Sequence, residues 1–242
     1  MAISENRPAK PLVIIPTYNE IVNTRRLIPE IMSLDDRIHI LVVDDASPDN
    51  TAGEVEAQAV AFPGRVFLLR RKGKLGLGSA YVNGFQWGLA GGYDFMIQMD
   101  ADWSHHPCYL PTMLELSEHA DFVIGSRYVE DGGTRNWGLV RRLISRFGSI
   151  YARAVLGVKI ADFTGGFNGW SAEVLRRTNI EFLRSNGYSF QIELKYRAHC
   201  RGFRHVEFPI VFDERRSGKS KMSAAIALEA CWRVWEFRFR NY

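Results

Sequence analysis

Asp100-Ala101-Asp102 sets two carboxylates one residue apart, directly after the apolar stretch Tyr93 to Met99. That stretch, bounded by Gly91-Gly92, reads as a buried strand. Both carboxylates therefore enter the loop at its C-terminal end, the edge where ligands bind in an open α/β sheet. Two hard oxygen ligands, with room left for water and a diphosphate, suit Mg²⁺ or Mn²⁺. Taken alone, the triplet is equally an acidic turn after a strand. A second acidic pair, Asp44-Asp45, ends another apolar run and favours the metal reading. A basic segment, Arg215 to Lys221, lies later in the chain.

These residues need a sheet that brings strand ends together. Leu12 to Ile15 is a continuous apolar run, stopped by Pro16, and reads as a central parallel strand buried on both faces. Ile38 to Val43, Val66 to Leu69 and Phe122 to Gly125 are further strands. Leu27, Ile28 and Ile31 mark a helix after the first. Ser47 and Asp49 are turn and N-cap types opening a helix through about Ala61. The loop Lys72 to Gly78 is glycine-rich and basic but lacks a full P-loop pattern; it is either a wall of the binding site or a simple helix start. Strands separated by helical patterns give βαβ units and a mostly parallel sheet. In the second half, Val140, Leu143, Phe147, Ile150 and Ala154 recur at helical spacing between Leu139 and Leu156. A helix from about Ser189 to Cys200 and a strand near Val206 to Phe212 follow. Leu228, Trp232, Trp235 and Phe239 share one face of a closing helix.

Composition narrows the classes. The 242 residues are 46% hydrophobic and 24% charged, ordinary for a soluble globular protein. No segment approaches the roughly 18–20 apolar residues of a membrane span, and the first ten residues lack a signal-peptide core; the expected location is cytoplasmic. Cys108, Cys200 and Cys231 have no metal-type spacing and read as reduced thiols. The net charge of +4 admits nucleic acid, anionic lipid or a phosphorylated substrate. The basic residues are interleaved with carboxylate loops rather than forming one stripe, which argues against nucleic acid.

Several segments, taken in order, resemble a family-2 glycosyltransferase of the GT-A fold. They are Pro16-Thr17-Tyr18-Asn19-Glu20, Val42-Val43-Asp44-Asp45, Gly76-Leu77-Gly78, Asp100-Ala101-Asp102, Ser126-Arg127-Tyr128, Asp162-Phe163-Thr164-Gly165-Gly166-Phe167 and Ser220-Lys221-Met222. The resemblance runs from about Pro11 to Met222 and is nearest to members that mannosylate a polyprenyl phosphate. It implies an α/β, Rossmann-like, mostly parallel sheet flanked by helices, with C-terminal amphipathic helices. One domain would span 1–242. About 11–128 would bind nucleotide and metal, 129–222 the acceptor, and 223–242 would form an interfacial or dimer helix.

The activity so implied is metal-dependent transfer of mannose from GDP-mannose to a polyprenyl phosphate, with inversion. By position, Pro16, Tyr18, Glu20, Val43 and Asp45 would hold the nucleotide. Asp100, Ala101 and Asp102 would contact donor and metal, with Asp102 the direct ligand. Arg127, Arg215 and Lys221 would bind phosphates. Asp45 would accept from the base or ribose, whereas Asp44 could merely cap a helix. Many members carry Gln two residues after the second Asp of the triplet. Here that position is Ser104, whose hydroxyl could ligate directly or through water. His105-His106 are weaker metal candidates, because adjacent histidines point in different directions. The acceptor is already largely dianionic at neutral pH if its second pKa lies near ~6, so a strong general base is not demanded.

A lipid-borne acceptor calls for peripheral contact with a membrane, expected at its cytoplasmic face. Arg141, Arg142, Arg146 and Arg153 with Trp232, Arg233, Trp235, Arg238 and Arg240 could provide it. Alternatively the Leu139–Leu156 face is core, and the closing helix packs on its own domain or on a second copy in a homo-oligomer. Alternative functions are the same lipid-phosphate chemistry with another donor such as UDP-glucose, and a non-catalytic nucleotide-binding adaptor.

Overall fold

The computed structural model describes residues 8–183, 185, 188–213 and 224–240. The chain alternates β1 (Pro11–Thr17), α1 (Ile21–Met32), β2 (His39–Asp44), α2 (Thr51–Ala61), β3 (Val66–Arg70), α3 (Leu77–Ala90) and β4 (Phe95–Gln98). There follow α4 (Leu110–Leu116), β5 (Phe122–Ser126), β6 (Gly133–Arg135), α5 (Leu139–Leu156), β7 (Asn168–Ser171) and α6 (Ala172–Arg177). Last come α7 (Tyr188–Cys200), β8 (His205–Pro209), β9 (Val211–Asp213) and α8 (Ala224–Phe239). Seven strands form one sheet in the order β3-β2-β1-β4-β7-β5-β8, while β6 and β9 make a separate ribbon. Within the large sheet β7 runs antiparallel to β4 and β5, and the other pairs are parallel.

The apolar runs are buried on both faces because helices cover both. Leu12 and Ile14 pack with Phe85 of α3, Ala152 of α5, Leu194 of α7 and Phe237 of α8. Val13 and Ile15 pack with Leu27 of α1, Val55 of α2 and Leu110 of α4. Gly84 and Gly88 let α3 lie close on the sheet: a Cβ would meet Ile14 at 2.5 Å and Met96 at 2.7 Å. The strand order turns back between β1 and β4, which opens the crevice where such sheets bind ligands.

Two sequence expectations need correction. Pro16 does not stop the first strand: β1 runs to Thr17, with Pro16 paired to Val43. The ladder to β4 ends at Ile14↔Gln98, so the missing N–H of Pro16 falls beyond it and costs no hydrogen bond. The single strand expected near Val206 to Phe212 is two strands. β8 follows β5 and ends at Pro209, and β9 then pairs with β6 instead.

For α5 the sequence left core and interfacial readings open, and the apolar face is not core. Ser145, Ser149, Ala152 and Leu156 face inward, while Leu139, Val140, Leu143, Ile144, Phe147 and Ile150 are exposed, Phe147 at 65%. Helix α8 packs against α5. It buries Val234 and Phe237 on its own domain but exposes Trp232, Trp235 and Phe239.

Candidate active site

The loops after β1 and β2 are stitched together by side-chain caps. Asn19 N–H donates to Ser47 Oγ at 3.0 Å, Glu20 N–H to Thr51 Oγ1 at 3.0 Å and Ile21 N–H to Asp49 Oδ2 at 3.1 Å. Asp49 thus caps α1 as well as accepting from Thr51 N–H at the start of α2. Asp44 is consumed structurally, accepting from Thr17 Oγ1 at 2.9 Å and from the Ser47 backbone and hydroxyl. Asn19 (62°), Ala46 (56°) and Asn50 (66°) in these loops, and Trp103 (67°) after β4, are non-glycine residues with positive φ. Such conformations persist where surrounding contacts over-determine the backbone, as in ligand-binding loops.

Asp45, next to Asp44, takes no part in these caps. Arg71 lies 2.8 Å from it. Burial raises the pKa of Asp45, and this outweighs the lowering by Arg71. Arg71 also donates to Ser79 Oγ at 2.7 Å and to Gly76 O, anchoring the Lys72–Gly78 loop where α3 begins. Lys74 from that loop stands 4.0 Å over the ring of Tyr18. The loop is therefore both a helix start and a wall beside Tyr18 and Asp45. Val43 is buried within β2, and Glu20 accepts from Asn23 Nδ2 at 2.6 Å.

At the end of β4, Asp100 N–H donates to His105 Nδ1 at 3.0 Å, and Ser104 N–H donates to Asp102 Oδ1 at 3.1 Å. These two turns fix the triplet, with Ala101 buried between its carboxylates. Tyr81 of α3 donates its hydroxyl to Asp100 Oδ1 at 3.4 Å. Burial, then the charge of Asp100, holds the Tyr81 phenol well above its usual pKa. His105 is buried, with Phe167 and Phe212 ring centroids at 5.1 and 5.2 Å, and serves the triplet's backbone. His106 caps the short turn at Cys108.

The fit to a divalent cation rests on Ser104. Its Oγ is buried and makes no hydrogen bond among the described residues, although Ser104 adjoins Asp102. No cluster of three or more His, Cys, Asp or Glu that could hold a metal occurs among the described residues. An all-protein cage is thus absent there. Asp102, Asp100 and the Ser104 hydroxyl fit an ion that completes its shell with diphosphate and water, the usual habit of Mg²⁺.

Arg127, beyond β5, is only 5% exposed and is held by Asp162. Nε donates to Asp162 Oδ2 and Nη2 to Asp162 Oδ1, each at 2.7 Å; the Arg127 N–H also donates to Oδ2 at 3.0 Å. Burial pushes the Asp162 carboxyl up, but Arg127 more than reverses this and leaves it at about 2. Arg127 Nη2 also reaches Thr164 Oγ1 at 2.9 Å, within a hydroxyl group comprising Ser145, Ser149 and Tyr128. Phe212 lies between His105 and Arg127, with the Arg127 guanidinium 5.6 Å from the ring that His105 packs against. Buried Lys195 donates to the carbonyls of Asp162, Phe163 and Gly165 at 2.7, 3.3 and 2.9 Å. The sequence reading missed Lys195 and the hydroxyl group. Ser145 and Ser149, four apart on α5 amid apolar residues, were the available signal. Arg215 and Lys221 lie outside the described residues.

Residues 12–178 match the family described as Glycosyl transferase family 2. The chain is 45% identical over 231 residues to the polyprenol monophosphomannose synthase of Mycolicibacterium smegmatis, covering 95% of this chain and 87% of that protein. It is also 45% identical over 219 residues to the undecaprenyl-phosphate mannosyltransferase of Micrococcus luteus, covering 90% of each. Among solved structures, glucosyl-3-phosphoglycerate synthase from Mycobacterium tuberculosis, in complex with Mn²⁺, UDP and phosphoglyceric acid, superposes with a TM-score of 0.73. The identity is 18%, over 99% of this chain and 81% of that one. A mannosyltransferase from Pyrobaculum calidifontis, in complex with GDP-Man and Mn²⁺, gives a TM-score of 0.59 at 20% identity, over 88% and 59%. At such identities the structural likeness speaks for the fold, a GT-A-like mostly parallel sheet flanked by helices.

Proposed function

The chain belongs to glycosyl transferase family 2, and on that footing we propose that it transfers mannose from GDP-mannose to a polyprenyl monophosphate with inversion. The observation that carries this is the 45% identity, over nine-tenths of the chain or more, to two enzymes whose names specify mannose and polyprenyl phosphates.

The site residues divide the work as follows. Pro16, Tyr18, Glu20, Val43 and Asp45 line the nucleotide side. The Asp45 carboxylate accepts from the base or ribose. Asp102, with Ser104 and Asp100, holds Mg²⁺ or Mn²⁺. When bound, such an ion stabilises the charge that gathers on a departing diphosphate. The acceptor brings its own anionic nucleophile, so the chain must offset repulsion between two phosphates rather than remove a proton. Arg127 supplies positive charge from a guanidinium fixed by Asp162, and Arg215 and Lys221 are assigned the same task.

Membrane contact completes the reading. No helix among the described residues is long and apolar enough to cross a bilayer. The outward apolar face of α5 and the exposed Trp232, Trp235 and Phe239 suit an interfacial position, which we assign to a cytoplasmic membrane face.

The test is incubation with radiolabelled GDP-mannose, a short polyprenyl phosphate and Mn²⁺ or Mg²⁺. Labelled lipid should form from GDP-mannose and not from UDP-glucose. Equal or better transfer from UDP-glucose would assign a different donor, and nucleotide binding without turnover on any prenyl phosphate would leave a non-catalytic adaptor.

A further inference from the structure

Helix α5 carries a feature that sugar transfer does not use. At about 100° per residue, Arg142, Arg146 and Arg153 fall within about 40° of one another. They form a row along one edge of the exposed strip that includes Leu143, Phe147 and Ile150. Behind this row lies an open groove of about 490 Å³ lined by Arg153, Gly157, Val158, Lys159, Ala161 and Glu207. It adjoins a hollow of about 140 Å³ lined by Tyr128, Arg146, Ile150, Arg153 and Ala161. Glu207, the one carboxylate in these linings, accepts from Ala161 N–H at 2.6 Å and Asp162 N–H at 3.0 Å. Among the described residues no ion pair engages Arg146, Arg153 or Lys159.

A helix lying in the bilayer interface sinks its apolar face about 5–10 Å toward the acyl chains. The arginines beside that face then stand at the level of the lipid phosphates. We propose that the groove between Arg146, Arg153 and Lys159 takes the headgroup phosphate of an anionic phospholipid. This site is separate from the acidic triplet, and the inference rests on the membrane reading above. Arginine supplies the planar donors a phosphodiester needs, and Ile150 at the mouth continues the apolar surface where the acyl chains begin.

The test is flotation of the full chain with vesicles of phosphatidylcholine alone, or of phosphatidylcholine with phosphatidylglycerol. Wild type should bind both and prefer the anionic vesicles. R146Q/R153Q should weaken binding to anionic vesicles about 25-fold, at about fivefold per charge, and leave binding to neutral vesicles unchanged. L143S/F147S should weaken both. R25Q/R26Q, an equal loss of charge on α1, should alter neither. Thermal melting and GDP binding establish that each variant is folded. An equal loss in R25Q/R26Q would mean diffuse attraction, and an anionic preference surviving R146Q/R153Q would empty the groove; either overturns the headgroup site. So would inorganic phosphate erasing the preference at matched phosphate concentration and ionic strength. Failure of wild type to bind any vesicle would instead remove the membrane reading, and this inference with it.

Discussion

Arg127 and Asp162, 35 residues apart, form a two-pronged ion pair with both N–O distances at 2.7 Å. The pair is buried and fastens the loop after β5 to the loop before β7. Asp162→Asn leaves the guanidinium without its counter-charge, at a cost of about 3–5 kcal/mol. Differential scanning calorimetry should show the melting temperature lower by about 10 °C. The acid dependence has a definite sign. Asp162 is held at about 2 against an ordinary 3.8, so its contribution is complete above 3.8 and is lost as pH falls through about 2. Urea unfolding should show wild type losing about 2 kcal/mol more than Asp162→Asn across that window. Parallel pH curves would contradict the pairing.

Lys195 gives the opposite limb. Burial lowers its pKa from 10.5 to about 8 although Asp162 and Glu207 oppose the shift. Folded protein therefore binds fewer protons than unfolded protein between those values, and stability rises as pH climbs from about 8 to 10.5. Relative to Lys195→Met, wild type should gain about 3 kcal/mol over that interval in denaturant titrations. A flat difference would mean that the ammonium is not desolvated as the structure has it.

In the proposed function Asp45 faces the nucleotide, with Arg71 2.8 Å from it. Asp45→Asn removes a charged acceptor and should weaken GDP binding about 10- to 100-fold by isothermal titration calorimetry. Arg71→Gln removes a group that lowers the Asp45 pKa. The loss of GDP affinity on acidification should then begin at a higher pH than in wild type. Affinities that follow the wild-type pH curve would detach Arg71 from the base site.

Ser104→Ala discards a buried hydroxyl that makes no hydrogen bond among the described residues, so the melting temperature should hold or rise slightly. The Mn²⁺ concentration needed for half-maximal transfer should increase about tenfold. An unchanged metal requirement would return Ser104 to a purely structural position.

How much of this was legible in the sequence depends on what each residue answers to. The runs Leu12–Ile15 and Ile38–Val43 became β1 and β2 because continuous apolar character suits strands covered on both faces. The β7 segment Asn168-Gly169-Trp170-Ser171 carries no such signal. Its place is set by neighbours, and a Cβ at Gly169 would stand 2.4 Å from Phe95. Periodicity gave the bounds of α5 correctly but not which face turns inward, since that depends on the hydroxyls and loops opposite. The acidic triplet and Asp45 lie at strand ends, as expected from local order along the chain. The commitment of Arg127 to Asp162 and of Lys195 to three carbonyls depends on contacts between distant segments, which spacing does not encode.

The proposed grip of Asp102 on a cation is tested most directly by anomalous scattering from crystals grown with GDP and Mn²⁺. The expected result is one manganese peak about 2–2.5 Å from an Asp102 carboxylate oxygen, bridging to the diphosphate. A manganese peak on the diphosphate remote from Asp100, Asp102 and Ser104 would contradict it.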